Sequence, residues 1–102
     1  MIHVIAIITA KPGMRDAILN EFRAILTAVH AENGCMEYGP ATDADGFDHF
    51  QTRLGPDSFV SIEKWGSPEA LKAHAAMPHM TAYAAKTKEL IASRVIHILA
   101  AG

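Results

Sequence analysis

A chain of 102 residues, 50% apolar and 20% charged, has the composition of a folded protein and the length of one small domain, residues 1–102. Its net charge of −2, with basic residues scattered along the chain, leaves no electrostatic footprint for nucleic acid or an anionic membrane. The single cysteine, Cys35, excludes an internal disulfide framework and predicts a reducing, cytoplasmic setting; the apolar opening at residues 2–8 lacks a basic start and is too short to span a bilayer.

That opening, rich in β-branched residues and closed by Lys11-Pro12-Gly13, reads as a strand and a turn. From residue 14 to about 33 the spacing becomes helical, with Ile18, Phe22, Ile25, Leu26 and Val29 on one face and Asn33-Gly34 as a left-handed stop. Residues 35–42 form a second strand, which Gly39-Pro40 confines to a sheet edge or a kink. After the turn at Asp43-Ala-Asp-Gly46, residues 47–53 read as a weaker strand, and residues 58–65 as a strong one. Ser67 is an N-cap with Pro68 at the first helical position, and this helix extends to about residue 76. Pro78 restarts a helix carrying His79, Met80, Tyr83, Thr87, Leu90 and Ile91, and residues 95–99 supply the last strand. The order β-α-β-β-β-α-α-β predicts an α+β fold close to ferredoxin-like, an antiparallel sheet with helices on one face.

The first and last strands are apolar on both sides: Ile2, Val4, Ala6 and Ile8 alternate with Ile5 and Ile7. Helices can cover only one face. The economical cover for the other is the same face of a second copy, which predicts a homodimer packed sheet to sheet.

The residues with chemical potential cluster between positions 59 and 83. His74 and His79 can exchange protons near neutral pH, but spacing equally allows a hydrogen-bonded core histidine and a helix-end cap. Five positions and Pro78 separate them, so they are no i, i+4 metal pair; the other histidines show no ligand spacing, and no metal is expected. Trp65, on the same strand face as Phe59 and Glu63, can wall a pocket or fill the core. Tyr38 offers a phenolic hydroxyl and Met77 an adaptable apolar lining, and packing explains both equally well. The glycines compose no dinucleotide or phosphate loop, and no G-x-S-x-G occurs.

Glu32-Asn-Gly-Cys35, Tyr38-Gly-Pro40, Phe50-Gln51, Pro56-Asp-Ser58, Ile62-Glu-Lys-Trp65, Ala73-His74, Pro78-His-Met80, Tyr83 and Ile96-His-Ile-Leu99, in this order, resemble the antibiotic biosynthesis monooxygenase family, in particular its YgiN-type quinol monooxygenases. The resemblance spans nearly the whole chain. It implies a dimeric α+β barrel and oxidation of an electron-rich aromatic hydroxyl compound, a quinol or polyketide phenol, by dioxygen to a quinone, without flavin, haem or metal. It also implies His74 as the base, Trp65 donating to a substrate oxygen, His79 as a secondary polar group, and Glu63 orienting a histidine. Tyr38, Glu63, Phe59, Met77 and Tyr83 would contact the substrate. Haem-degrading relatives use an asparagine on the first strand, absent here. An isomerase of a small phosphorylated signalling molecule and a non-catalytic quinone-binding stress-response dimer remain as alternatives. A phosphate would need basic residues in the pocket, and by sequence only Lys64 and Lys72 lie near the motif.

Overall fold

A computed structural model describes residues 1–102. Four strands, β1 (Ile2–Ala10), β2 (Cys35–Ala41), β3 (Ser58–Trp65) and β4 (Ile91–Ala100), pair antiparallel in the order β2-β3-β1-β4, the ferredoxin-like arrangement. The helices are α1 (Arg15–Ala24), α2 (Leu26–His30), α3 (Pro68–Ala75) and α4 (Pro78–Thr87). β1 is central, paired with β3 on one side and β4 on the other. β2 lies at an edge, where Pro40 removes no ladder hydrogen bond that a central strand would need.

Period-2 alternation sorts the sheet into two faces. Val4, Ala6 and Ile8 of β1, Phe59 and Trp65 of β3 and Tyr38 of β2 are buried toward the helices, together with Ile18, Leu19 and Phe22 of α1 and Val29 of α2. Phe22 is the hub: it stacks on Tyr38 at 5.2 Å and meets Phe59 and Tyr83 edge-on at 5.6 and 6.0 Å. The opposite face carries Ile5, Ile7, Val60, Ile62, Val95 and Leu99, in register across β3, β1 and β4. No helix covers it, and Ile62, Val95 and Leu99 remain 36%, 50% and 46% exposed.

Three expected elements differ. The helix expected over 14–33 is divided at Ile25, whose N–H bonds to Phe22 O, an i−3 partner that tightens the turn and re-aims α2. Residues 47–53 form no strand. The Asp43 carboxylate accepts the backbone N–H groups of Leu54 and Gly55 at 2.8 and 2.9 Å, tying off a loop, and Phe50 is 92% exposed. Those same two hydrogen bonds lower the Asp43 pKa. Finally, α4 ends at Thr87, so Leu90 lies in a turn and Ile91 opens β4, four residues before the strand was expected.

Gly34 fixes the geometry that matters for the site. Its φ is +81°, and a Cβ there would lie 2.7 Å from the Ala70 Cβ of α3. Only glycine both adopts this backbone and lets the α2–β2 turn approach α3 so closely. Gly66 N–H donates to Gly34 O at 2.8 Å and locks the approach. The turn carries Glu32, which is thereby delivered to the buried side of α3. No helix is long and apolar enough to cross a membrane.

Candidate active site

Ser67 starts α3 as the sequence predicts, its hydroxyl accepting Ala70 N–H at 3.1 Å with Pro68 behind it. That start sets the rotation of α3 and turns His74 inward, where it is buried. Its ring lies 4.6 Å from the Trp65 ring and 5.3 Å from Tyr38.

The group that organises this corner is Glu32. Its side chain is 4% exposed and meets His74 Nδ1 at 3.0 and 3.1 Å and His79 Nε2 at 2.7 Å. A carboxylate offers only acceptors, so both imidazoles donate to it, which assigns the proton of His74 to Nδ1. In the neutral ring the lone pair is then on Nε2, which has no hydrogen-bond partner in the protein. These groups bond to one another rather than surrounding an open point. No set of three or more His, Cys, Asp or Glu side chains is placed to hold a metal ion.

A second buried carboxylate sits on β3. Glu63 accepts Trp65 Nε1–H at 3.0 Å and the Ser61 hydroxyl at 2.9 Å. The structure thus gives the indole N–H and Glu63 partners other than those the resemblance implied: Trp65 donates to Glu63 rather than standing free for a substrate oxygen, and Glu32, not Glu63, orients the histidines.

A cavity of about 990 Å³ lies between the helix-facing side of the sheet and α3 and α4. Its walls are mostly apolar, with Tyr38, Ser61, Glu63, His74 and Tyr83 supplying polar groups. Of the residues singled out from sequence, Tyr38, Glu63, His74 and Tyr83 reach this cavity. Trp65 and Phe59 lie behind its wall, each 0% exposed. Met77 and His79 do not line it either: Met77 precedes Pro78 as the N-cap residue of α4, and His79 stands on the far side of Glu32. Burial pushes the Tyr38 phenol well above its ordinary range and the Tyr83 phenol up to about 12, so both are neutral hydroxyl donors at physiological pH. The basic residues on the wall are Lys72, Lys88 and Arg94; Lys64 is on the opposite sheet face, paired with Glu37 at 3.2 Å.

Glu32 escaped sequence reasoning because its partners are 42 and 47 residues away. The available signals were its place before Asn33-Gly34, a turn that had to pack tightly somewhere, and its presence in the Glu32-Asn-Gly-Cys35 motif.

Residues 1–86 match the profile of the family described as antibiotic biosynthesis monooxygenase. The chain is 40% identical over its full length to a protein named as a probable quinol monooxygenase, YgiN, of Escherichia coli (strain K12), covering 99% of that protein. Among solved structures it resembles Rv0793 from Mycobacterium tuberculosis, with a TM-score of 0.80 and 30% identity over 98% of this chain and 93% of that one. PA3566 from Pseudomonas aeruginosa gives a TM-score of 0.78 and 28% identity over 96% of this chain and 90% of that one.

Proposed function

This chain belongs to the antibiotic biosynthesis monooxygenase family, and on that premise we propose that it is a cofactor-independent monooxygenase of quinols or related electron-rich phenols. The observation that carries the reading is His74: it lines an apolar cavity, and its Nδ1–H is held by a buried carboxylate while Nε2 is free. An imidazole so fixed can take the proton of a bound phenol. The phenolate gives one electron to dioxygen, and the radical pair recombines with formation of a C–O bond at a ring carbon. His74 returns its proton to the distal oxygen, the carbon loses its hydrogen, and the O–O bond breaks. One oxygen atom stays as a carbonyl and the other leaves as water, so hydroquinone plus O2 gives hydroxyquinone plus H2O. Tyr38 and Tyr83, kept neutral by burial, are donors for the developing oxyanion. The apolar walls keep water from the ring face that they cover.

The test is oxygen uptake with reduced menadione-like or anthrone-like substrates, with and without the protein. Uptake independent of the protein contradicts the reading. Product formed without oxygen points to isomerisation, and quinone binding without turnover to a ligand-binding dimer.

Within this reading Glu32 is a positioning residue. Glu32→Gln can present an N–H instead of an oxygen to His74, which releases the ring and its tautomer. The expected result is a fall of roughly tenfold to a hundredfold in kcat with little change in KM, since the cavity walls are untouched. An equal loss in KM would instead mean that Glu32 shapes the pocket.

The uncovered apolar sheet face supports a homodimer formed by that face against its copy. Sedimentation at micromolar concentration is expected to give twice the chain mass; a monomer there contradicts it. The half-buried free thiol of Cys35 is in keeping with a reducing, cytoplasmic location.

A further inference from the structure

The chain carries a net charge of −2, yet the cavity is lined by three cations, Lys72, Lys88 and Arg94, against one carboxylate, Glu63. Glu63 already has two donors, Ser61 and Trp65. The cations that do pair with carboxylates are Arg15, Arg53, Lys64 and Lys86, and none of these lines the cavity. Three of the five that do not pair, by contrast, converge on it from α3, from the end of α4 and from β4.

Arg94 is the most telling of them. It stands opposite Ile8 on the helix-facing side of β4, in line with Ile96 and Ile98. It is exposed, as are Ile96 and Ile98 beside it, so it stands at the open side of the cavity, with no carboxylate to hold it. Its guanidinium stands near enough to Tyr83 to favour the ionised phenol there, against the burial that raises its pKa. The cation therefore faces the space between β4 and α4. Cations left unpaired at the rim of an apolar cavity are placed to meet an anion on whatever the cavity holds.

We infer that the substrate is an anion: an aromatic hydroxyl compound whose ring lies on the apolar floor and whose acidic substituent, a carboxylate or a phosphate-like group, meets Arg94, Lys88 and Lys72. The inference rests on the monooxygenase reading only for the ring chemistry, not for the charge. A carboxylate would suit the planar fork of Arg94 with two parallel hydrogen bonds, whereas a phosphate-like group would draw on all three cations.

The experiment uses three reduced probes that differ only at one ring position: 1,4-dihydroxynaphthalene, its 2-carboxylate and its 2-phosphonate. Binding is measured anaerobically and oxygen uptake separately. The expected result is affinity for at least one anionic probe roughly tenfold above that for the neutral one. The carboxylate and phosphonate arms tell which acid fits. The preference should shrink at molar salt and largely vanish in Arg94→Ala/Lys88→Ala, with affinity for the neutral probe retained. Equal affinity for all three probes overturns the inference, as does a preference that survives in the double variant. Oxygen uptake without any anion preference removes only this inference. Anion-selective binding without oxygen uptake upholds it and removes the monooxygenase reading instead.

Discussion

Replacing His74 with alanine is expected to lower kcat/KM for quinol oxidation by roughly 10²–10⁴-fold, the range a positioned general base contributes. The substitution also leaves Glu32, a buried carboxylate, with His79 as its one remaining imidazole donor, so some stability will be lost as well. His74→Asn separates the two effects. Its amide N–H2 can still donate to Glu32, but the side chain has no lone pair that can accept a proton. A folded, cooperatively melting His74→Asn protein as slow as His74→Ala assigns the loss to proton transfer. Retention of more than about a tenth of the activity in either variant would contradict the role given to His74.

The largest effect on stability is expected at Trp65. It is 0% exposed and packs between His74 and Tyr38, with ring centroids at 4.6 and 6.3 Å. It also supplies one of the two donors that hold Glu63. Truncation to alanine opens a cavity, which costs about 3–5 kcal/mol for such a residue. It also leaves Glu63 short of a partner, at a further cost of about 1–3 kcal/mol. Against a total stability of roughly 5–15 kcal/mol, this leaves the variant marginal or unfolded. A thermal melt at matched protein concentration should show Tm lower by at least about 12 °C. Trp65→Phe keeps most of the volume and loses the N–H, so its loss should fall well below that of alanine. A drop of less than roughly 4 °C for Trp65→Ala would mean that the wall behind the cavity is held by something else.

The fold was readable wherever local pattern and tertiary demand agree. The β-branched opening forms β1, Ser67-Pro68 starts α3 where it should, and Asn33-Gly34 stops the chain in the left-handed conformation found at Gly34. Residues 47–53 misled because their aromatics suggest a strand, while the outcome was decided by the Asp43 carboxylate taking two backbone N–H groups on the far side of the loop. Ile91 has a helical spacing from Thr87, but Ile8, Thr9 and Ala10 of β1 were available for pairing, and the ladder claimed Ile91, Ser93 and Arg94 for β4.

The site was readable residue by residue and not as a network. Alternation on β3 correctly put Phe59, Glu63 and Trp65 on one face, whereas spacing alone left His74 open between a core and a chemical role. Which carboxylate serves which partner depends on how α3 packs on the α2–β2 turn, and no spacing encodes that contact. The same holds for Arg94, Lys88 and Lys72, which share a cavity only because β4 runs back beside β1, across from α3 and α4.

The claim on which the rest depends is that one atom of dioxygen ends in the product and the other in water. Turnover of an anthrone-like substrate under ¹⁸O2, read by mass spectrometry, tests it directly. The predicted result is a quinone carrying one ¹⁸O per turnover, with the second label in water and no accumulating peroxide. Unlabelled quinone formed with two equivalents of hydrogen peroxide, its second oxygen drawn from water, would identify an oxidase and contradict it.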